Sequence, residues 1–232
     1  MDEKGIKINE IFDWEKVKDA LYFSIVPASI EEIYNIDNAR DLALADEPCR
    51  FQDGMKINYR VLFNSDNGKI SSGKVSNQMI KLFKINESDL FDISKTNTSK
   101  LFPPREVDMY GRVAIIEGAE YTLCPTVLEN YANQMDGKIF ACAFNTKQVV
   151  ILGENFFKGN TIEEKEKFLM ESFEFWHGTV DFIGQQKLID MSPIHYDATT
   201  EQIVSLSEYI KTQEKEKIST ISMEDDFEER EI

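Results

Sequence analysis

The fold is decided by one segment, residues 121–152, which reads YTLCPTVLENYANQMDGKIFACAFNTKQVVIL. It predicts a strand at Tyr121–Cys124 and then a helix from Pro125 to Gly137. Pro125 suits the first turn of a helix, because its ring fixes φ at about −65° and its missing N–H would have no partner there. Gly137 can adopt the left-handed conformation that ends a helix. Apolar residues recur between them at helical spacing and predict one buried stripe, made of Val127, Leu128, Tyr131, Ala132 and Met135.

Two nearly continuous apolar runs follow this helix, Ile139–Phe144 and Gln148–Leu152, with the polar Asn145-Thr146-Lys147 between them. Continuous apolar runs are typical of strands that are buried on both faces of a sheet. We therefore expect a hairpin covered on both sides. The fold class that follows is α+β, with a mixed or antiparallel sheet packed by several amphipathic helices.

Caps and apolar spacing predict further elements on either side of this segment. The expected helices are Trp14 to about Phe23 after Asp13, a short one that opens with a capping box of Ser29 and Glu32, Ser76–Phe83, Asn86 to about Thr96, Thr161 to about Trp176, and Glu201–Lys217. The expected strands are Tyr59–Phe63, Val113–Ile116 paired with Tyr121–Cys124, and Ile194–Tyr196 at a sheet edge.

The domain organisation is predicted from Pro103-Pro104, which stops any helix and marks a hinge. Residues 1–104 then form an N-terminal layer of helices and strands, and residues 105–217 form a C-terminal core. Residues 218–232 are expected to be an acidic, flexible tail, because they offer little apolar surface to bury. One continuous domain over residues 1–217 is the alternative, since no shift in composition marks a boundary.

The formal net charge is −16, from 42 acidic and 26 basic residues. Such a surface repels nucleic acids, nucleotides and anionic membranes, so we expect no direct binding to any of them. It can instead attract a protein with a basic surface, or it can serve solubility alone. Part of the charge is local, because the six carboxylates between residues 224 and 231 outweigh Arg230 and contribute −5.

The chain shows no sign of a membrane span, a secretion signal or a bound cofactor. No stretch reaches the roughly 18 apolar residues of a membrane span, and Met1-Asp2-Glu3-Lys4 does not open a secretory signal, so we predict a cytoplasmic protein. Cys49, Cys124 and Cys142 are odd in number and include no C-x-x-C pair, which favours reduced, packed thiols over disulfides or structural zinc.

The stretch from Gly68 to Lys74 matches most of a phosphate-binding loop, with Gly68, four residues, Gly73 and then Lys74. The next residue should be a Ser or Thr that binds magnesium, and here it is Val75. The match therefore remains a weak candidate for nucleotide binding. A hairpin or a strand-to-helix turn that ends at Gly73 is the alternative.

Two further patterns are weak candidates for catalysis. Cys124 directly precedes a predicted helix, where the helix dipole would lower its pKa and favour a nucleophilic thiolate. His177 or His195 could then serve as the base. Acidic residues in irregular segments could also bind magnesium, and the candidates are Asp181, Asp190 and Asp197.

Several stretches carry a resemblance to known sequences. They are Asp89-Leu90 to Leu101-Phe102-Pro103, Tyr121-Thr122-Leu123 before Pro125-x-Val127-Leu128, Ile139 to Asn145 with Val149-Val150-Ile151, and Met191-Ser192-Pro193-Ile194-His195-Tyr196-Asp197. From about Arg40 to Ile203 the chain resembles a family of bacterial proteins known only as a domain of unknown function. The resemblance implies structure and brings no activity. The family tends to show Pro-Ser-Ser and a Glu where this chain has Ala143-Phe144-Asn145 and Gln148, so a polar site there is not implied.

The sequence therefore favours a non-catalytic binding or regulatory protein over an enzyme. One form is an acidic inhibitor that places carboxylates where a basic, nucleic-acid-handling partner expects phosphates, such as a regulator encoded by a phage or mobile element. The alternative is a hydrolase or transferase that uses Cys124 as nucleophile or an acidic metal site.

Overall fold

The computed structural model describes residues 5–27, 47–52, 55–64, 69–156, 161–180 and 192–215. Over these ranges the chain is an α+β protein with six α-helices and ten strands, and the strands pair antiparallel in two sheets. The predicted fold class is thus confirmed. The short helix expected to open at Ser29 and the acidic tail expected at residues 218–232 lie outside the described residues.

The first sheet is organised around its longest strand. It contains β1 (Leu21–Pro27), β2 (Cys49–Gln52), β3 (Met55–Asn64) and β4 (Ile70–Lys74). Strand β3 pairs with β1 over most of its length, with β2 near its start and with β4 near its end. Burial alternates along β1 and β3, so one face of this sheet lies in the core.

Helix α1 (Trp14–Asp19) is shorter than the sequence predicts. Asp13 caps it as expected, since its carboxylate accepts a hydrogen bond from the Glu15 N–H. The prediction that the helix continues to Phe23 is wrong, because Leu21–Pro27 forms β1. The apolar residues of this stretch alternate with a period of two, and pairing with β3 buries every second side chain.

Helices α2 (Asn77–Phe83) and α3 (Glu87–Leu101) follow the first sheet. Helix α2 begins where predicted, and the Ser76 side chain caps it by accepting from the Met79 N–H. Asn86 caps α3 as predicted, and it forms a capping box with Asp89. Helix α3 runs past the predicted end at Thr96, because no residue interrupts it before Pro103-Pro104. It packs on β1, where the Phe23 N–H donates to the buried Thr98 hydroxyl at 3.2 Å.

The second sheet has six strands. They are β5 (Arg105–Tyr110), β6 (Val113–Glu117), β7 (Lys138–Asn145), β8 (Gln148–Gly153), β9 (Ile194–Asp197) and β10 (Gln202–Ser205). Their spatial order is β10-β9-β7-β8-β6-β5. The predicted hairpin is confirmed as β7 and β8, and the Asn145 side chain accepts from the Lys147 and Gln148 N–H groups at its turn.

The central hairpin is buried on both faces, as its continuous apolar runs predict. Helix α4 (Pro125–Gln134) covers one face together with the first sheet, in a cluster that includes Ala141 and Ile151. Helix α5 (Ile162–Val180) covers the other, in a cluster that includes Phe140 and Phe173. The Gly137 N–H donates to the Ala132 carbonyl and its φ is 93°, so it closes α4 as expected.

Three predictions in the C-terminal half are wrong. Tyr121–Cys124 is not a strand, because residues Ala119–Leu123 form a 3-10 turn and β6 pairs instead with β5 and β8. Strand β9 is not at an edge, because it lies between β7 and β10. The helix expected from Glu201 begins only at residue 206, since residues Gln202–Ser205 pair with β9 as β10.

The first of two buried apolar clusters contains side chains of both sheets, such as Ile57 of the first and Ile139 of the second. The described residues on the two sides of Pro103-Pro104 therefore share a core, and the hinge stays a prediction. In the described part of the chain, no helix is both long and apolar enough to cross a membrane.

Candidate functional site

Cys124 lies immediately before α4, as predicted, yet its surroundings do not favour a thiolate. Its side chain is fully buried, and its Sγ donates to the Glu120 carbonyl at 3.4 Å. Burial raises the pKa of this thiol far above its usual value, which is opposite to the shift that the helix dipole predicts. Desolvation outweighs the dipole here, so Cys124 behaves as a packed apolar side chain.

His195 lies on the other side of the second sheet from Cys124. Its ring packs against Phe140 and Tyr209, with centroids 4.9 and 4.3 Å away, whereas Cys124 belongs to the cluster around α4. The structure therefore does not bring Cys124 and His195 together. His177 lies in α5, and its side chain is outside the described part of the structure.

The His195 ring contributes instead to a polar contact under the last helix. Its Nε2 is buried, lacks a hydrogen-bond partner among the described residues and lies 3.8 Å from Glu154 Oε1. The Tyr209 hydroxyl, from the helix at residues 206–215, donates to the same carboxylate oxygen at 2.5 Å. Burial lowers the pKa of His195 although Glu154 opposes the shift, so the ring is neutral near pH 7.

The candidate metal and phosphate residues do not converge where they are described. Asp197 pairs with Lys138 at 3.0 Å, and Asp181, Asp190 and Gly68 lie outside the described residues. Across the described ranges, no group of three or more His, Cys, Asp or Glu side chains could hold a metal ion.

Gly73 and Lys74 lie in strand β4 and not in a loop before a helix, so the hairpin alternative describes them. A Cβ at Gly73 would meet the Phe63 ring at 2.9 Å, which explains the glycine without a phosphate. The Lys74 Nζ pairs with Glu47 at 2.7 Å.

A cleft of about 540 Å³ lies where the 3-10 turn meets the β7–β8 turn. We call it the acceptor cleft; it is lined by Pro103, Arg105, Glu117, Gly118, Glu120, Tyr121, Thr146, Lys147 and Gln148. Gly118 makes it possible, because its φ of 105° turns the chain and its N–H donates to the Lys147 carbonyl. A Cβ at Gly118 would meet the Tyr121 ring at 2.7 Å, so this position accepts only glycine without rearrangement.

The residues of the acceptor cleft include one hydrogen-bond acceptor that has no partner among the described residues. Gln148 is 8% exposed, and its Oε1 is buried and unpaired. Glu120 is half-buried and has no ion pair in the described structure, and burial raises the pKa of its carboxyl. Tyr121 is fixed by a 2.6 Å hydrogen bond from its hydroxyl to the Phe102 carbonyl.

The cations of this cleft lie at its exposed rim. The Arg105 side chain is 79% exposed and forms an ion pair with Glu117 at 3.7 Å. Lys147 is also exposed. The cleft can hold a group that donates hydrogen bonds to its acceptors. The exposed cations would repel further positive charges close to that group. The sequence shows Gln148 only as the start of an apolar run, and it does not show that Gln148 lies near residues 117–121.

Fold and site together define an α+β protein with two antiparallel sheets and an open polar cleft at one end of the second. No family model, no curated protein and no solved structure matches the chain. The resemblance to a bacterial family of unknown function stays a prediction, and the case for function depends on the charges and contacts of the chain itself.

Proposed function

We propose that this chain is a non-catalytic binding protein that inhibits a basic, nucleic-acid-handling partner, as a regulator encoded by a phage or mobile element would. The observation that carries the proposal is the uneven distribution of charge. Residues 28–46 and 216–232 together contribute −9 of the total −16. More than half of the net negative charge therefore lies in 36 of the 232 residues.

Two sequence stretches hold most of this charge. Residues 28–46 contain five acidic residues against Arg40, and residues 216–232 contain seven against Lys217 and Arg230. Solubility needs a high net charge but not its concentration in short runs. Closely spaced carboxylates do resemble the phosphates of nucleic acid, which carry about one negative charge per 1.7 Å of duplex axis. A surface that binds nucleic acid would attract them.

The environment of Cys124 supports a binding function over the alternative of thiol chemistry. A nucleophilic cysteine needs an accessible sulfur and a lowered pKa. Cys124 is fully buried and the pKa of its thiol is raised. A substrate could reach this sulfur only after the structure around it opened.

Affinity capture with competition tests the proposal. The full chain is immobilised, exposed to an extract and washed over a series of salt concentrations, and bound protein is then challenged with duplex DNA. We expect a retained protein that salt releases and that DNA displaces, because inhibitor and nucleic acid compete for one basic surface. Retention that neither salt nor DNA reduces would contradict the proposal.

Two variants of equal net charge locate the interaction. Asp225→Asn with Asp226→Asn removes two charges from the acidic stretch at residues 216–232. Glu129→Gln with Glu166→Gln removes two exposed charges from α4 and α5. We expect the first pair to weaken retention by about fivefold, as for two exposed charge contacts, and the second to change it little. Equal effects would mean that total charge, and not its position, governs binding.

A further inference from the structure

We infer that the acceptor cleft receives the guanidinium group of an arginine side chain that the basic partner presents. This inference rests on the proposed function and names the contact that would give it specificity. It makes the cleft a recognition pocket.

The first argument is an unpaired acceptor on a residue that lines the cleft. Gln148 is 8% exposed, and its Oε1 is buried without a hydrogen-bond partner among the described residues. Buried acceptors are nearly always paired in native proteins, so this oxygen would gain a partner from a donor that enters the cleft and displaces the groups that cover the oxygen. The backbone of Gln148 is fixed, since its N–H donates to the Asn145 side chain at 3.0 Å.

The second argument is the set of other groups that line the cleft. The half-buried Glu120 carboxyl has no ion pair in the described structure, and Glu117, which pairs with Arg105 at 3.7 Å, lines the cleft as well. Glu120 would gain from a cation that restores the stability of its charged form. A guanidinium has five N–H donors in a plane and can bond a carboxylate and an amide oxygen together, which a single ammonium does less well. Tyr121 also lines the cleft; it is 4% exposed, and the bond from its hydroxyl to the Phe102 carbonyl fixes its position.

The third argument is the rim, which limits the kind of sequence that carries the arginine. Arg105 and Lys147 are exposed at the mouth, where a second positive charge of the partner would be repelled. The cleft volume, about 540 Å³, is large enough for one side chain and part of its backbone. The occupant is thus a single arginine with neutral or acidic neighbours and not a run of basic residues.

Short capped peptides test the inference. The probes are acetyl-Gly-Arg-Gly-amide, its citrulline analogue, which has the same shape and no charge, and its lysine analogue. Binding to the full chain is measured by calorimetry or NMR titration. We expect the arginine peptide to bind at least tenfold more tightly than either analogue. Equal affinity for citrulline would overturn the inference of a cation site, and equal affinity for lysine would overturn the choice of guanidinium.

Variants of the cleft separate recognition from folding. Gln148→Met keeps the shape and removes the unpaired acceptor, so it should weaken arginine binding at least fivefold without lowering the melting temperature. Glu120→Gln should act in the same direction, and Glu129→Gln, exposed on α4, is the matched control. Unchanged affinity in Gln148→Met, with the fold confirmed by circular dichroism, would overturn the inference.

The two proposals can fail independently. If the partner is still captured and displaced by DNA while Gln148→Met and Glu120→Gln bind it normally, the inhibitor proposal stands and the arginine pocket is wrong. If the arginine peptide binds the cleft and loses affinity in Gln148→Met while no DNA-competed partner is captured, the pocket stands and the inhibitor proposal is wrong.

Discussion

The contact of Glu87 with Tyr59 and Arg50 joins three elements and makes a quantitative prediction. Glu87 begins α3, Tyr59 lies in β3 and Arg50 in β2. The Tyr59 side chain is 1% exposed, and its hydroxyl donates to Glu87 Oε1. The Arg50 guanidinium donates to both carboxylate oxygens, at 3.0 and 2.9 Å, and lies 4.0 Å from the centre of the Phe91 ring.

The expected cost of each substitution follows from these contacts. Tyr59→Phe removes a hydrogen bond to a charged group and should cost about 2 kcal/mol. Glu87→Ala leaves the buried hydroxyl unpaired, at about 1–3 kcal/mol. It also removes the partner of Arg50, and because those side chains are 27% and 33% exposed, we place this loss at about 1–2 kcal/mol, between the surface and buried cases. Glu87→Ala should therefore cost about 2–5 kcal/mol in total.

A double-mutant cycle isolates the shared hydrogen bond. The free energy of unfolding should fall by about 1.5–2 kcal/mol less in the double variant than the sum of the two single losses, because both substitutions remove the same interaction. Urea unfolding, followed by fluorescence and circular dichroism, gives each free energy of unfolding. Asp92→Ala is the control, since Asp92 is 68% exposed on the same helix and its contact with Lys95 is 3.6 Å. A coupling below about 0.5 kcal/mol would refute the contact.

The remaining predictions concern pH, thiol access and one glycine. Because burial lowers the pKa of His195 below 6.5, the unfolded chain binds its proton first, so the free energy of unfolding should fall as pH falls below 6.5, and His195→Gln should flatten this step in urea titrations from pH 7 to 5.5. Iodoacetamide should modify the half-buried Cys49 in the native protein and reach the fully buried Cys124 only on unfolding, as peptide mass spectrometry would show; similar native rates would contradict the buried site. Gly118→Ala should cost at least about 2 kcal/mol in the same urea assay, from positive φ and a close contact, whereas Gly111→Ala, with φ of 62° and open space around it, should cost about 1 kcal/mol.

The central helix and hairpin could be predicted because their signals are local. Pro125 and Gly137 act through the backbone of their own residues, and the Asn145 side chain bonds within its own turn. The same holds for the caps at Ser76 and Asn86. Such contacts span a few residues, so a single sequence contains all the information that they need.

The wrong predictions share a different cause, since pairing between strands, which the local pattern does not show, decided them. Phe23 lies in β1 because it pairs with Tyr59, 36 positions later in the chain. Ile203 lies in β10 because it pairs with Tyr196 of β9, although its spacing with Leu206 and Ile210 suits a helix. Local periodicity was ambiguous in both stretches, and tertiary pairing overrode it.

The acceptor cleft could not be predicted for a related reason. Its lining comes from three separate segments, residues 103–105, 117–121 and 146–148, which the chain brings together only when the 3-10 turn docks on the hairpin turn. Gln148 reads in the sequence as the first residue of an apolar strand. Its unpaired oxygen is visible only in three dimensions.

The acidic stretches and the acceptor cleft would act over different distances. Charges in solution are screened over about 8 Å at physiological ionic strength, so the carboxylates at residues 216–232 would mainly raise the rate at which a basic partner approaches. A guanidinium held between Glu120 and Gln148 is desolvated, and contacts of that kind mainly slow dissociation. Removing charge from the stretch should therefore change the association rate, whereas Gln148→Met should change the dissociation rate. Electrostatic attraction alone does not distinguish one basic protein from another, whereas a cleft that fits one side chain can give specificity for a particular partner.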